Sequence, residues 1–186
     1  MSSEVQICNI ALSRIGDTLI TDLNENSKQA RTCKLLFEPE RDLLLHSHYW
    51  NFAMKRKTLA QLSEPPDFEY GCQYQLPTDY LRDRELYNSK ASYVIEGDRL
   101  LINEDAVYLK YIARITDPNK FNPAFVICLA LKLGAELSVR LADSKTLKNL
   151  TLKEYLSQIS EAYRLNAIEG NPPEDTQDTD WQSQGR

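Results

Sequence analysis

Histidine is nearly absent from the chain: His46 and His48 are the only two in 186 residues. A spacing of two does not put them on one helical face, and no His-Glu-x-x-His occurs. A zinc site would need two further ligands from elsewhere, so no metal is expected, and Asp42 and His46 read as a helix-end pair. Glycine is sparse as well, six residues scattered singly. Neither the dinucleotide-binding nor the Walker phosphate loop can be built from them. The Gly-x-Ser-x-Gly elbow of a nucleophilic serine is missing too. No catalytic residue, metal ligand or cofactor site is therefore assigned. Carboxylate neighbours such as Asp67 with Glu69, or Asp79 with Asp83, read as solvated charges.

The four cysteines, Cys8, Cys33, Cys72 and Cys128, form no Cys-x-x-Cys pair. They are expected to be small buried hydrophobes. No run approaches the ~20 apolar residues needed to span a bilayer, so no membrane partner is expected. The opening Met1-Ser2-Ser3-Glu4 lacks the basic and apolar regions of a secretory signal, which leads us to expect folding in the cytosol. Basic excess is absent: 22 Lys and Arg stand against 27 Asp and Glu, a net charge of -5. Avid, sequence-independent nucleic-acid binding needs a basic footprint that the whole chain does not have.

What is present is a periodic pattern that changes twice. Val5, Cys8, Leu12 and Ile15 recur at helical spacing between a Ser3 cap and a Gly16 stop, predicting a helix over 4–15. Ser27 opens a second helical pattern through Ala30, Cys33, Phe37 and Leu44. Pro39 should either kink it or divide it near Glu38, the second piece running to about Ser47. From about Lys55 the period becomes two. Tyr70, Cys72, Tyr74 and Leu76 predict a strand, Tyr93–Glu96 and Arg99–Ile102 a hairpin across Gly97-Asp98, and 107–112 another strand. Helix returns at Asn122-Pro123, a cap followed by proline at the first helical position. On it Ala130, Gly134 and Ser138 form a small-residue stripe for close packing, and Lys132, Glu136 and Arg140 a charge ladder. A last helix over 147–168 carries Leu152, Leu156, Ile159 and Tyr163 on one side. The order predicts an α+β fold: a bundle of N- and C-terminal helices (4–48 and 122–168) with an antiparallel β-rich insertion at 55–116. Residues 1–170 form one domain in this reading.

Residues 171–186 read as a disordered acidic tail. Four acids against one arginine give it a net charge of -3. Trp181 is a lone aromatic there. Two further features carry functional readings beside structural ones. Tyr49-Trp50-Asn51-Phe52 is an aromatic knot where helix meets strand, either a core junction or an inter-subunit anchor. Lys55-Arg56-Lys57 is the strongest basic run, either a phosphate-contacting, channel-facing stretch or a solvated strand edge.

The segment Asn9-Ile10-Ala11-Leu12-Ser13-Arg14-Ile15-Gly16 resembles the opening helix of the tail tubular protein A family, the neck or head-to-tail adaptors of short-tailed bacteriophages. The resemblance continues through Ala30 and Cys33, Arg41-Asp42-Leu43-Leu44 and Trp50-Asn51-Phe52-Ala53. It extends to Arg56, Leu59 and Ala60, then Tyr74-Gln75-Leu76-Pro77 with Asp79, Val94-Ile95-Glu96-Gly97, and 107–112. Position 49 is Tyr where many relatives have Pro, which bears on the local turn. The resemblance implies a structural virion protein, assembled in the host cytoplasm. Twelve copies would form a ring between the portal protein and the tail nozzle (tail tubular protein B), continuing a channel through which double-stranded DNA passes without specific binding. In such a ring Trp181, with Asp178, Asp180 and Arg186, would dock on the portal. The alternatives from other classes are a tail-associated polysaccharide-degrading hydrolase and a cytosolic helical interaction protein.

Overall fold

In the computed structural model, residues 2–87 and 90–170 are described. They form a mixed α and β fold of four α-helices and two three-stranded antiparallel sheets. The helices are α1 (Glu4–Ile15), α2 (Lys28–Ser47), α3 (Pro123–Arg140) and α4 (Lys145–Gly170). Between α2 and α3 run β1 (Met54–Thr58), β2 (Cys72–Gln75), β3 (Tyr80–Leu86), β4 (Tyr93–Glu96), β5 (Arg99–Ile102) and β6 (Tyr108–Ala113).

Local chemistry explains most of the boundaries. Ser3 Oγ accepts from the Gln6 amide at 3.1 Å, and Gly16 takes the left-handed conformation (φ 71°) that closes α1. Ser27 caps α2 through the Ala30 amide, and Asn122 caps α3 through the Ala124 amide with Pro123 next in line. Each cap contributes about 1 kcal/mol. Pro39 does not divide α2, which is one helix throughout. Leu35, whose carbonyl loses its donor to the proline, is exposed together with Pro39. On this exposed side the freed carbonyl can be solvated by water, which reduces the cost of Pro39.

Sheet one has the order β1-β6-β3 and sheet two β2-β5-β4. The two are stitched by the stretch after β1: Leu59 N–H donates to Val107 O, and Leu62 N–H to Gln73 O. The β4–β5 hairpin closes on Gly97-Asp98 with a positive φ at Gly97 alone (61°), as a type II′ turn requires. Strand β3, Tyr80–Leu86, is absent from the sequence expectations because its charges mask the alternation. Register shifts against β6 leave Leu81 and Arg84 without ladder partners, the signature of bulges.

Helix α3 is the centre of the helical part, touching α1, α2 and α4. Its Gly134 shows why small residues are needed: a Cβ there would sit 3.4 Å from Thr151 Cγ2 and 3.5 Å from the Ala11 carbonyl. Both α1 and α4 thus lean on the predicted stripe. Gly134→Ala should be tolerated, gaining up to about 1 kcal/mol from helix propensity. Gly134→Leu should destabilise by about 1–3 kcal/mol through overpacking. Parallel thermal melts of the two variants check both signs.

Two expectations are corrected, and the apolar side of α4 is only in part its inner face. On α4 the buried residues are Thr151, Ile159, Ala162 and Asn166, whereas Leu152 and Leu156 are exposed. Counting apolar residues favoured the leucines, but the helix buries the row that meets α3. The proposed charge ladder on α3 does not form: Lys132 pairs with Glu40 of α2 at 3.2 Å, and Glu136 with Lys148 of α4 at 2.8 Å. Partners on neighbouring helices compete successfully with those one turn away. Asp42 pairs not with His46 but with Arg41 (2.9 Å) and Arg114 (2.7 Å), tying α2 to the end of β6.

Candidate functional site

The sequence Tyr49-Trp50-Asn51-Phe52 turns the chain from α2 into β1, and its side chains divide between core and surface. Trp50 is 1% exposed, and its indole Nε1–H donates to Leu44 O at 2.9 Å. Its ring meets Phe125 edge-on at 5.1 Å, and Phe52 packs on both Phe125 (5.1 Å) and Phe121 (6.1 Å). Trp50 is therefore a core junction within the chain.

The junction is locked by two asparagines from opposite ends of the sequence. Asn51 N–H donates to Asn166 Oδ1 at 2.8 Å, and Asn51 Nδ2 to Asn166 O at 2.5 Å. A backbone N–H can only donate, so the orientation of the Asn166 amide is fixed. Its Nδ2 then faces Tyr49 O at 3.0 Å and His48 Nε2 at 3.1 Å. His48 Nε2 is thus an acceptor, and the neutral ring stacks on Tyr163 at 4.0 Å. Burial, then the charges of Arg82 and Arg84, hold the His48 pKa below its ordinary value. The unfolded chain therefore takes up this proton first. Stability is full above the ordinary histidine range and is lost as pH falls through it towards the folded value. His48→Phe, which keeps the stack, should flatten the profile of unfolding free energy between pH 7.5 and 5.

Beside this junction lies a cavity of about 530 Å³, walled by Tyr49, Arg56, Arg84, Lys110, Asn166 and Gly170 among others. Strand geometry builds its basic wall. Arg56 of β1 pairs across to Lys110 of β6, which pairs to Glu85 of β3, all on one face of sheet one. The bulge at Arg84 brings this residue to the same side as Arg82. Both guanidinium carbons stand 4.4 Å from the Tyr49 ring centroid. Lys110 is paired with Glu85 at 2.9 Å. Among the described residues Arg56 and Arg84 have no carboxylate partner within ion-pair distance.

The basic run of the sequence is consequently divided. Arg56 faces the cavity, whereas Lys55 points to the other face and pairs with Asp79 at 2.6 Å. Lys57 is exposed. Asp79 also accepts from the Tyr111 hydroxyl at 3.0 Å. Burial alone would raise its pKa, but hydrogen bonds from Lys55 and Tyr111 outweigh that and hold it below the usual carboxylate range. Asp83 is bonded by the Tyr80 (3.1 Å) and Tyr93 (2.7 Å) hydroxyls. These two carboxylates are structural bridges rather than the solvated charges expected.

Sequence reasoning missed Arg82, Arg84 and Lys110, which lie far from the basic run. The only signal was Arg-x-Arg in 82–84, unreadable without the strand. Trp181, Asp178, Asp180 and Arg186 lie outside the described residues. Among the described residues no group of three His, Cys, Asp or Glu could hold a metal ion, and no helix is long and apolar enough to cross a membrane. Comparison with known proteins finds no family model that matches the chain and no similar curated protein.

Proposed function

We propose that the chain is a structural head-to-tail adaptor of a short-tailed phage. Its helices would form a bundle carrying a β-rich insertion, and its copies would close into a ring between portal and nozzle. This reading starts from the sequence resemblance. The observation that supports it most is a set of exposed leucines on α2 and α4. Ser47 Oγ meets Tyr163 OH at 3.5 Å. The end of α2 thus approaches α4 at Tyr163, and the two helices otherwise pack on α3. On their outer rows Leu43 (56%), Leu152 (39%) and Leu156 (56%) remain exposed. A neighbouring copy packing there would bury them, and a head-to-tail contact closes into a ring when the rotation between neighbours divides a full turn. No catalytic group is invoked. The acidic balance would let DNA pass with little adhesion at physiological salt.

The test is negative-stain electron microscopy of the protein alone and with its cognate portal. A twelve-fold ring capping the portal is expected. A monodisperse monomer that ignores the portal would remove the adaptor reading.

A further inference from the structure

We propose that the basic cavity beside the aromatic junction is a docking site for the acidic segment 174–180 of this chain's own C-terminus. The contact stands independently of the adaptor reading. Three observations lead to it. The first is unbalanced charge: Arg56, Arg84 and Lys110 line the cavity, Arg82 stands beside them over Tyr49 and donates to His46 O at 3.2 Å, and Glu85, paired with Lys110 and within the field of Arg84 and Arg56, is one carboxylate against four cations. Two guanidinium groups on one tyrosine ring repel each other and are relieved by an anion between or beside them.

The second is position. The last described residue, Gly170, itself lines the cavity. An extended chain spans at most ~3.3–3.6 Å per residue, so Glu174 can reach ~14 Å and Asp180 ~35 Å from that wall. The arginine row is well within that reach.

The third is complementarity. Glu174, Asp175, Asp178 and Asp180 fall within ten residues of Gly170, and no basic residue lies among them. An external polyanion must overcome the net charge of -5. A tethered carboxylate segment meets the cavity at an effective concentration on the order of millimolar. The ion pairs would be partly exposed, so the contact should weaken in high salt.

Zero-length carbodiimide cross-linking of the full chain, read by mass spectrometry, tests this directly. Condensation joins the Lys110 amine to a carboxylate of 174–180 as an amide, the lost water being taken up by the carbodiimide to give a urea. The Lys110 link to 174–180 is expected in monomeric protein, with yield falling at least five-fold in R56E/R84E. It should recover in R56E/R84E/D178R/D180R and fall at 0.5 M salt. Equal yield in R56E/R84E would overturn the proposal. So would links that, in an isotope-mixing experiment, join different copies.

A second measurement covers failure of the charge-reversed variants to fold. In the full chain carrying E174Q, D175N, D178N and D180N, a fluorescein-labelled duplex oligonucleotide should bind at least ten-fold more tightly than to the wild type, and adding R56A/R84A should remove that gain; a gain that survives R56A/R84A comes from the change in net charge alone and would overturn the proposal. Unchanged affinity would show that the segment does not cover these arginines and would overturn the proposal.

Discussion

Replacing Trp50 by alanine should cost about 3–5 kcal/mol of unfolding free energy, the range for deleting a large buried aromatic. For a chain of this size that lowers the melting temperature by about 6–20 °C. The argument is local. Trp50 is essentially inaccessible and touches Phe52, Phe125, His48 and Tyr163, so its removal opens a void between helices and strands at once. Loss of the indole N–H also leaves Leu44 O without that donor. Trp50→Phe should fall between, since it keeps part of the packing and loses the hydrogen bond. Chemical denaturation of the three proteins orders them. A Trp50→Ala protein as stable as the parent would refute the core-junction role.

The second large effect concerns assembly rather than stability. Leu43→Glu combined with Leu156→Glu should leave the monomer folded, with stability changed by no more than about 0.5 kcal/mol, because both side chains are mostly in water. Under the adaptor reading the same change buries two carboxylates in an apolar seam. It should weaken self-association by at least about 100-fold, the order expected when central interface contacts are broken. Sedimentation velocity with circular dichroism separates the two readouts. Rings that persist in the double variant would exclude Leu43 and Leu156 from the seam.

How much of this was legible beforehand depended on whether a signal was local. Caps and turns were readable because their chemistry lies within three or four residues: Ser3 with Gln6, Asn122 with Ala124, Gly97 between β4 and β5. The small-residue stripe through Gly134 was readable because glycine inside an apolar helix has few other uses. The burial of α4 was not legible because leucine marks apolarity without direction, and Thr151 and Asn166 occupy the inner row beside Ile159 and Ala162. Strand β3 escaped notice because a bulged, charge-rich edge strand has no clean period. The basic cavity is a product of register: Arg56 and Lys110 become neighbours through pairing of β1 with β6, which no window along the chain contains.

The Asn51–Asn166 clasp bears on the order in which the molecule folds. Its partners are 115 residues apart, so the turn between α2 and β1 is completed by a side chain near the end of α4. During synthesis Trp50 emerges long before Asn166, and its pocket stays unsealed until α4 has formed. Closure of so distant a pair carries a large loop entropy and should come late. Amide exchange at Asn51 is accordingly expected to report the final docking step, while amides of α1 gain protection earlier.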